Sequence, residues 1–236
     1  VNVKDDVFVV NYRSTDADLW ARPLRITAAG QIDQPIMEFD IADCYEPSIV
    51  KVSNNVYAIT YRGVTTDGFV KTVEIDNGFI TRVIDTLEYD TVDSYEPRIL
   101  HIIGDIYAVA YRGVTTDGFV KTFTINSAGT ISNSVISTLE FDTLDGYEPS
   151  IVQVSGDRYA VAYRGEAGDG WLKTFTINAA GTISGVSSSF EFDDFDGYES
   201  RIIHVKDNVF AIAHRGRDLD GWLKTVTIEP AGTIRA

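Results

Sequence analysis

Apolar and polar residues alternate with a period of two along most of this chain, and no stretch sustains the 3.6-residue period of an amphipathic helix. Residues 45–94 show the pattern most cleanly and predict four strands. Residues 48–52 (SIVKV) form a short aliphatic run after Pro47. Residues 56–62 (VYAITYR) set Tyr57, Ile59 and Tyr61 on one side and Ala58, Thr60 and Arg62 on the other. Residues 69–75 (FVKTVEI) and 83–90 (VIDTLEYD) supply the third and fourth strands. The breaks carry turn chemistry: Ser53-Asn54-Asn55, the loop 63–68, and the hairpin signal Asp76-Asn77-Gly78. The fold class expected is all-β.

The pattern repeats. YRGVTTDGFVKT occurs at 61–72 and again, unchanged, at 111–122. Looser copies follow at 163–174 (YRGEAGDGWLKT) and 214–225 (HRGRDLDGWLKT), and a worn copy begins at Tyr12-Arg13, with Asp18, Trp20 and Arg22. The arginines Arg13, Arg62, Arg112, Arg164 and Arg215 are 49, 50, 52 and 51 residues apart. Four short strands in each unit of about fifty residues predict a β-propeller of about five four-stranded blades. A β-solenoid competes, but its coils are usually shorter and have no four-strand meander. The whole chain, 1–236, reads as one domain with units 1–44, 45–94, 95–146, 147–197 and 198–236. The first unit lacks the YEPSI segment and the last lacks most of a fourth strand. A closed five-bladed ring is expected, with a larger ring as the alternative and association through the first and last units as a further outcome. Ala58, Ala108, Ala160 and Ala211 share one position, and Thr60, Ala110, Ala162 and Ala213 another on the same strand face. These small side chains are expected to meet the neighbouring blade.

The segments DGYEPSIV (145–152), YAVAYRG (159–165) and DGWLKTFTI (169–177) resemble the propeller repeats of large bacterial and archaeal surface proteins. The architecture is also similar to that of five-bladed lectins of the tachylectin type, although no sugar-binding residue of that family matches here. The resemblance implies a secreted or cell-surface binding module.

Charge narrows the partners. The net charge is −15, which disfavours nucleic acid and anionic membranes. No apolar run approaches the roughly 20 residues of a membrane span. Cys44 is the only cysteine, so neither an intrachain disulfide nor a multi-cysteine metal site is expected. The first residue is valine, which reads as a mature or trimmed chain, and no signal peptide is present.

Candidate chemistry gathers on one side. In a propeller blade the loop between second and third strands shares a face with the connection to the next blade. Here that face collects Glu46, Glu96, Glu148 and Glu199 of the Tyr-Glu motif and Arg62, Arg112, Arg164 and Arg215 of the Tyr-Arg-Gly motif. These eight read as structural locks between loops or as ligand contacts, because the planar guanidinium fork can hold a carboxylate by two bonds. The Asp-Gly-aromatic loops contribute Asp67 with Phe69, Asp117 with Phe119, Asp169 with Trp171 and Asp220 with Trp222. Aromatic rings stack on the apolar faces of sugars and carboxylates take their hydroxyls, so these are the candidate ligand-binding residues. Asp90, Asp93, Asp142 and Asp145 are weak calcium candidates, too sparse in oxygen for a dedicated calcium loop. No other cofactor is expected. His101, His204 and His214 sit in no catalytic motif. A glycosidase needs two carboxylates in unlike surroundings, whereas these recur at matching positions. The sequence therefore reads as a multivalent carbohydrate-binding module rather than an enzyme. A scaffold that binds a surface protein and a five-bladed glycosidase are the alternatives.

Overall fold

A computed structural model describes the backbone of residues 2–4, 7–13, 18–26, 32–33, 37–76 and 79–236; side chains are described from Cys44 onward, apart from 77–79, and at Phe8. The described residues form five antiparallel sheets and no α-helix. The first sheet has five strands: β1 (Asn2–Lys4), β2 (Val7–Arg13), β3 (Asp18–Ile26), β4 (Ile32–Asp33) and β5 (Met37–Asp43), the last two both pairing with β3. Each of the other four sheets is a four-stranded meander. The second contains β6 (Tyr45–Lys51), β7 (Val56–Arg62), β8 (Gly68–Asp76) and β9 (Phe79–Asp90). The third contains β10 (Tyr95–Ile103), β11 (Ile106–Arg112), β12 (Gly118–Thr124) and β13 (Ser137–Asp142). The fourth contains β14 (Tyr147–Ser155), β15 (Arg158–Arg164), β16 (Gly170–Thr176) and β17 (Ser188–Asp193). The fifth contains β18 (Tyr198–Lys206), β19 (Val209–Arg215), β20 (Gly221–Ile228) and the short β21 (Ile234–Arg235). The predicted fourth strand of each unit is thus observed in full in the second to fourth sheets.

The second, third and fourth sheets are apolar on both faces because each packs between two others. Ala108, Ala110 and Val120 of the third sheet share one core cluster with Tyr159, Val161, Tyr163 and Phe175 of the fourth. Ala160, Ala162 and Leu172 meet Phe210, Ile212 and Val226 in the same way. The small-residue stripe of the third and fourth sheets therefore meets a neighbouring sheet, as expected, and that neighbour is the following one. Small on large lets the sheets interdigitate at interior density. The first strands β6, β10, β14 and β18 pack against one another in turn and form the inner wall. On the far side of the fifth sheet the matching positions are open: Leu223 is 70% exposed, against 0% for Leu172.

Loop placement follows the propeller expectation. The second-to-third-strand loop lies against the inter-sheet connection of its own unit, with Gly146 N donating to Thr116 O at 2.8 Å and Gly197 N to Gly168 O at 2.7 Å. The tight turns lie at the other end, where Ser53 Oγ donates to Ser127 O at 2.7 Å across the seam.

Candidate functional site

The Tyr-Glu motif opens each first strand with a bulge. Register slips between Tyr95 and Arg98, and equally between Tyr147 and Ser150. The glutamate at each slip has a left-handed backbone: φ is 55° at Glu46, 56° at Glu96, 54° at Glu148 and 54° at Glu199. Such a conformation costs an L-residue on the order of 1–3 kcal/mol and persists only where surrounding contacts hold it. Those contacts cross the seam. Glu46 Oε2 accepts the backbone N–H of Glu96 at 2.9 Å, Glu96 Oε2 that of Glu148 at 2.7 Å, and Glu148 Oε2 that of Glu199 at 2.6 Å. The same carboxylates face the arginines of their own units, Arg62 with Glu46 at 3.2 Å, Arg112 with Glu96 at 3.5 Å, Arg164 with Glu148 at 3.6 Å and Arg215 with Glu199 at 3.6 Å. The expected two-bond fork is not formed: each pair approaches through Nε. The guanidinium is held by rings instead. Arg112 lies 4.0 Å from the centroid of Tyr95 and 4.6 Å from that of Tyr147, and Arg164 repeats this at 3.9 Å from Tyr147 and 4.7 Å from Tyr198. The lock is a glutamate that bridges units and an arginine sandwiched between tyrosines.

A second lock stands further out. Asp90 Oδ2 accepts the Tyr111 hydroxyl at 2.5 Å and Lys121 Nζ at 2.7 Å from the next unit. Asp142 does the same with Tyr163 at 2.6 Å and Lys173 at 2.7 Å. At the last seam His214 replaces the tyrosine, 3.2 Å from Asp193, while Lys224 keeps its bond at 2.7 Å. Burial works to raise the aspartates, but the lysine ammonium and the donated hydroxyl outweigh it and hold Asp90 and Asp142 below the usual carboxylate range. Asp193 is likewise held down, to about 2, where the Lys224 ammonium and two backbone N–H groups outweigh burial. Burial and the bond to Asp142 push Tyr163 well above the usual phenol value. The calcium candidates Asp90 and Asp142 thus already face an ammonium. Asp145 takes the Thr116 hydroxyl at 2.7 Å. No group of three metal-ligating side chains occurs among the described residues.

The aromatics of the Asp-Gly loops share one register position, opposite the Tyr or His of the Tyr-Arg-Gly or His-Arg-Gly motif. Phe69 and Phe119 stack on Tyr61 and Tyr111, each at 5.7 Å, within their own sheets. All four rings lie over the glycine that follows the motif arginine; a Cβ on Gly113 would stand 2.5 Å from the Phe119 ring and one on Gly165 2.4 Å from the Trp171 ring, which explains why a residue without one is used there. Both tryptophans line clefts at the seams. One cleft, about 180 Å3, is lined by Asp142, Leu144, Glu166, Trp171, Lys173 and Ser189. Its counterpart one unit on, about 250 Å3, is lined by Asp193, Asp194, Phe195, Arg217, Trp222 and Lys224, with Gly216. Each brings an indole, a lysine and a seam aspartate together.

The Asp-Gly aspartates do not line these clefts. Their carbonyls close the loops, with Gly113 N donating to Asp117 O and Gly165 N to Asp169 O, both at 2.8 Å. Their carboxylates turn to neighbours: Thr65 Oγ1 donates to Asp67 at 2.5 Å, and Thr115 Oγ1 to Asp117 at 2.8 Å. Asp220 is exposed, its carbonyl accepting Gly216 N at 2.8 Å. Burial, then a hydrogen bond with Asp117, raises the Glu140 carboxyl; burial and the charge of Asp169 raise Glu191. Sequence reasoning missed the cleft lysines and Arg217, although DG[FW][VL]KT carries the lysine in every full copy. His101 and His204 bond the carbonyls of Gly104 and Asp207 in their turns, at 2.8 Å each, and pack against the rings of Tyr107 and Phe210.

No protein-family model matches the chain, and no curated protein sequence does. Solved structures do. An AofleA variant from Arthrobotrys oligospora superposes with a TM-score of 0.63 at 13% identity, over 99% of this chain and 68% of that one. The NanB sialidase of Streptococcus pneumoniae gives 0.63 at 10% identity, over 91% of this chain and 36% of that one. The periplasmic gluconolactonase PpgL of Pseudomonas aeruginosa gives 0.50 at 13% identity, over 97% and 80%. The expectation that this chain is no enzyme is corrected by these neighbours. A sialidase and a gluconolactonase share the architecture, so recurrence of carboxylates around it does not exclude catalysis, and enzyme status stands open. At such identities the likeness establishes the fold alone, and that fold is an all-β, propeller-like array of antiparallel sheets.

Proposed function

We propose that this protein is a five-bladed, propeller-like module that binds carbohydrate at several equivalent seam clefts on the motif-bearing face. The observation that carries this reading is the recurrence of one cleft at two successive seams, Trp171 with Lys173 and Asp142, then Trp222 with Lys224 and Asp193. An indole offers an apolar face to a sugar ring, and the lysine and aspartate beside it offer donors and acceptors to hydroxyls. The clefts are smaller than the roughly 300–1,000 Å3 of sites that enclose drug-sized ligands. Each therefore suits one sugar unit held weakly, and affinity for a surface comes from occupying several at once. Carbohydrate-directed names among the structural neighbours, the sialidase above all, support the same class of ligand. A secreted or surface location and a glycan partner belong to this proposal; no described helix is long and apolar enough to cross a membrane.

A hydrolytic reading has its own observation. Glu140 and Glu191 are raised carboxyls beside Asp117 and Asp169, and a raised carboxyl is the kind of group that general acid catalysis uses. The two readings separate in one experiment. The protein is applied to glycans immobilised at high density, and the same glycans in solution are assayed for release of reducing ends. Retention that weakens stepwise in Trp171→Ala and Trp222→Ala supports binding, and turnover lost in Glu140→Gln or Glu191→Gln supports hydrolysis. Absence of retention on every glycan would overturn the binding proposal.

A further inference from the structure

The two seam clefts share a floor and differ at the rim. In each, the lysine beside the indole is already held by the seam aspartate, Lys173 by Asp142 and Lys224 by Asp193, both at 2.7 Å. The same aspartates also hold Tyr163 at 2.6 Å and His214 at 3.2 Å. The charges of the floor are therefore spent on one another. What is left for a ligand comes from the first residue after the motif glycine. That residue is Glu166 in one cleft and Arg217 in the other, whereas the second and third units carry Val64 and Val114 there.

The two loops follow one backbone path. Gly165 and Gly216 both have a φ of −98°, and Ala167 and Asp218 are left-handed at 61° and 62°. Gly165 N and Gly216 N each donate at 2.8 Å to a carbonyl four residues on. Glu166 and Arg217 thus leave the backbone at the same place and line the same part of their clefts. Both are exposed, and among the described residues neither forms an ion pair. The Arg217 guanidinium lies 5.7 Å from the ring centroid of Phe195, on the connection from the preceding unit; the other cleft has Leu144 at that position. Asp194 also lines the Arg217 cleft, from the same connection, and is exposed. One rim therefore carries an unpaired acid, and the other an unpaired base tempered by an acid.

Resting on the carbohydrate reading of these clefts, we propose that they sort sugars by charge: Glu166 draws an amino sugar, through its ammonium, to Trp171, and Arg217 draws a carboxylated sugar to Trp222. A guanidinium whose face is turned to a ring keeps its N–H edge for a carboxylate. A glutamate in water accepts bonds from an ammonium and repels an acid. The net charge of −15 favours cations over the whole surface, so the preference shows as a difference between the two clefts.

The test follows the indole N–H resonances of the whole chain at low, fixed ionic strength and about pH 6, where an amine is charged and a carboxylate ionised. Glucose, glucosamine and sodium glucuronate are added in separate titrations, and Trp171→Ala and Trp222→Ala assign the signals. Glucose should saturate both sites alike. Glucosamine should favour Trp171 and glucuronate Trp222, each by about two- to fivefold in Kd, the size of an exposed charge contact. Glu166→Val and Arg217→Val place in the loop the residue that two other units carry there, and each should erase the preference at its own indole. Glu166→Arg should invert it, and Asp194→Asn should tighten glucuronate at Trp222. Glucose that moves both indoles while the charged sugars show no split overturns the sorting and leaves the clefts as sugar sites blind to charge. A split that survives both valine variants overturns it as well. Indoles that no sugar moves overturn the sorting together with the carbohydrate reading.

Discussion

The seam between the fourth and fifth sheets and the far side of the fifth sheet are built from nearly the same sequence and behave differently. DGWLKT occurs at 169–174 and again at 220–225. In the first copy Leu172 is sealed and Thr174 Oγ1 donates to Gly232 O of the next unit at 2.9 Å. In the second copy Leu223 is 70% exposed and Trp222 53% exposed. The glutamates diverge likewise: Glu148 bonds the next unit, while Glu199 is 64% exposed. The repeated motif therefore encodes contacts to the following unit more than contacts within its own. Leu172, Thr174 and the Glu148 of the Tyr-Glu motif address the following unit, and Lys173 addresses the preceding one.

The largest effect that can break this comparison lies in the aliphatic bed. Leu172→Ala should cost about 2–5 kcal/mol in denaturant unfolding, the range for deleting a buried leucine. Leu223→Ala should cost no more than about 0.5 kcal/mol, as at an exposed site. Equal losses would show that the motif stabilises its own sheet. Next in size is the arginine lock. Arg112→Met strands Glu96, which is only 20% exposed, and should cost about 1–3 kcal/mol. Arg215→Met leaves a glutamate already in water and should be near neutral, so a matching loss at Arg215 would contradict the seam account.

The smallest effect concerns pH. Asp193 is depressed to about 2 in the folded protein, below the value of about 3.9 expected of an unfolded aspartate. A depressed carboxylate adds stability that is fully present above the unfolded value and lost as pH falls through the folded one. The parent should therefore lose stability between about pH 4 and pH 2 through this group. Lys224→Met, which removes the leading partner, should flatten that part of the profile. An unchanged slope would show that the ion pair across the last seam contributes nothing.

The sequence made the architecture legible, and the reason is physical. A fifty-residue period with four alternating runs leaves few all-β solutions, and Ala108 and Ala110 against tyrosines predicts a face that meets a neighbouring sheet, without saying which neighbour. The seam chemistry was less legible. Glutamate is not a residue from which a left-handed backbone is read, so the bulge at Glu96 has no local signature. Arginine beside glutamate reads as a two-bond pair, yet the tyrosine of the same motif, as Tyr95 and Tyr147 show, takes the guanidinium face instead. The Asp-Gly aspartates read as ligands because they neighbour aromatics, but their carboxylates turn to Thr115 or Glu140, and the clefts take aspartates from the preceding unit. Lysines such as Lys173 were plain in the motif, but only the fold reveals that they reach Asp142 across the seam.

The recurrence of equivalent clefts is tested most directly by following the indole N–H resonances of Trp171 and Trp222 while a monovalent sugar, chosen from a glycan surface that retains the protein, is added. Both resonances should move, with separate saturations in the millimolar range, as equal weak sites require, and Trp171→Ala should remove its own signal while leaving the Trp222 titration intact. Indoles that stay still while one tight site saturates elsewhere would contradict the account.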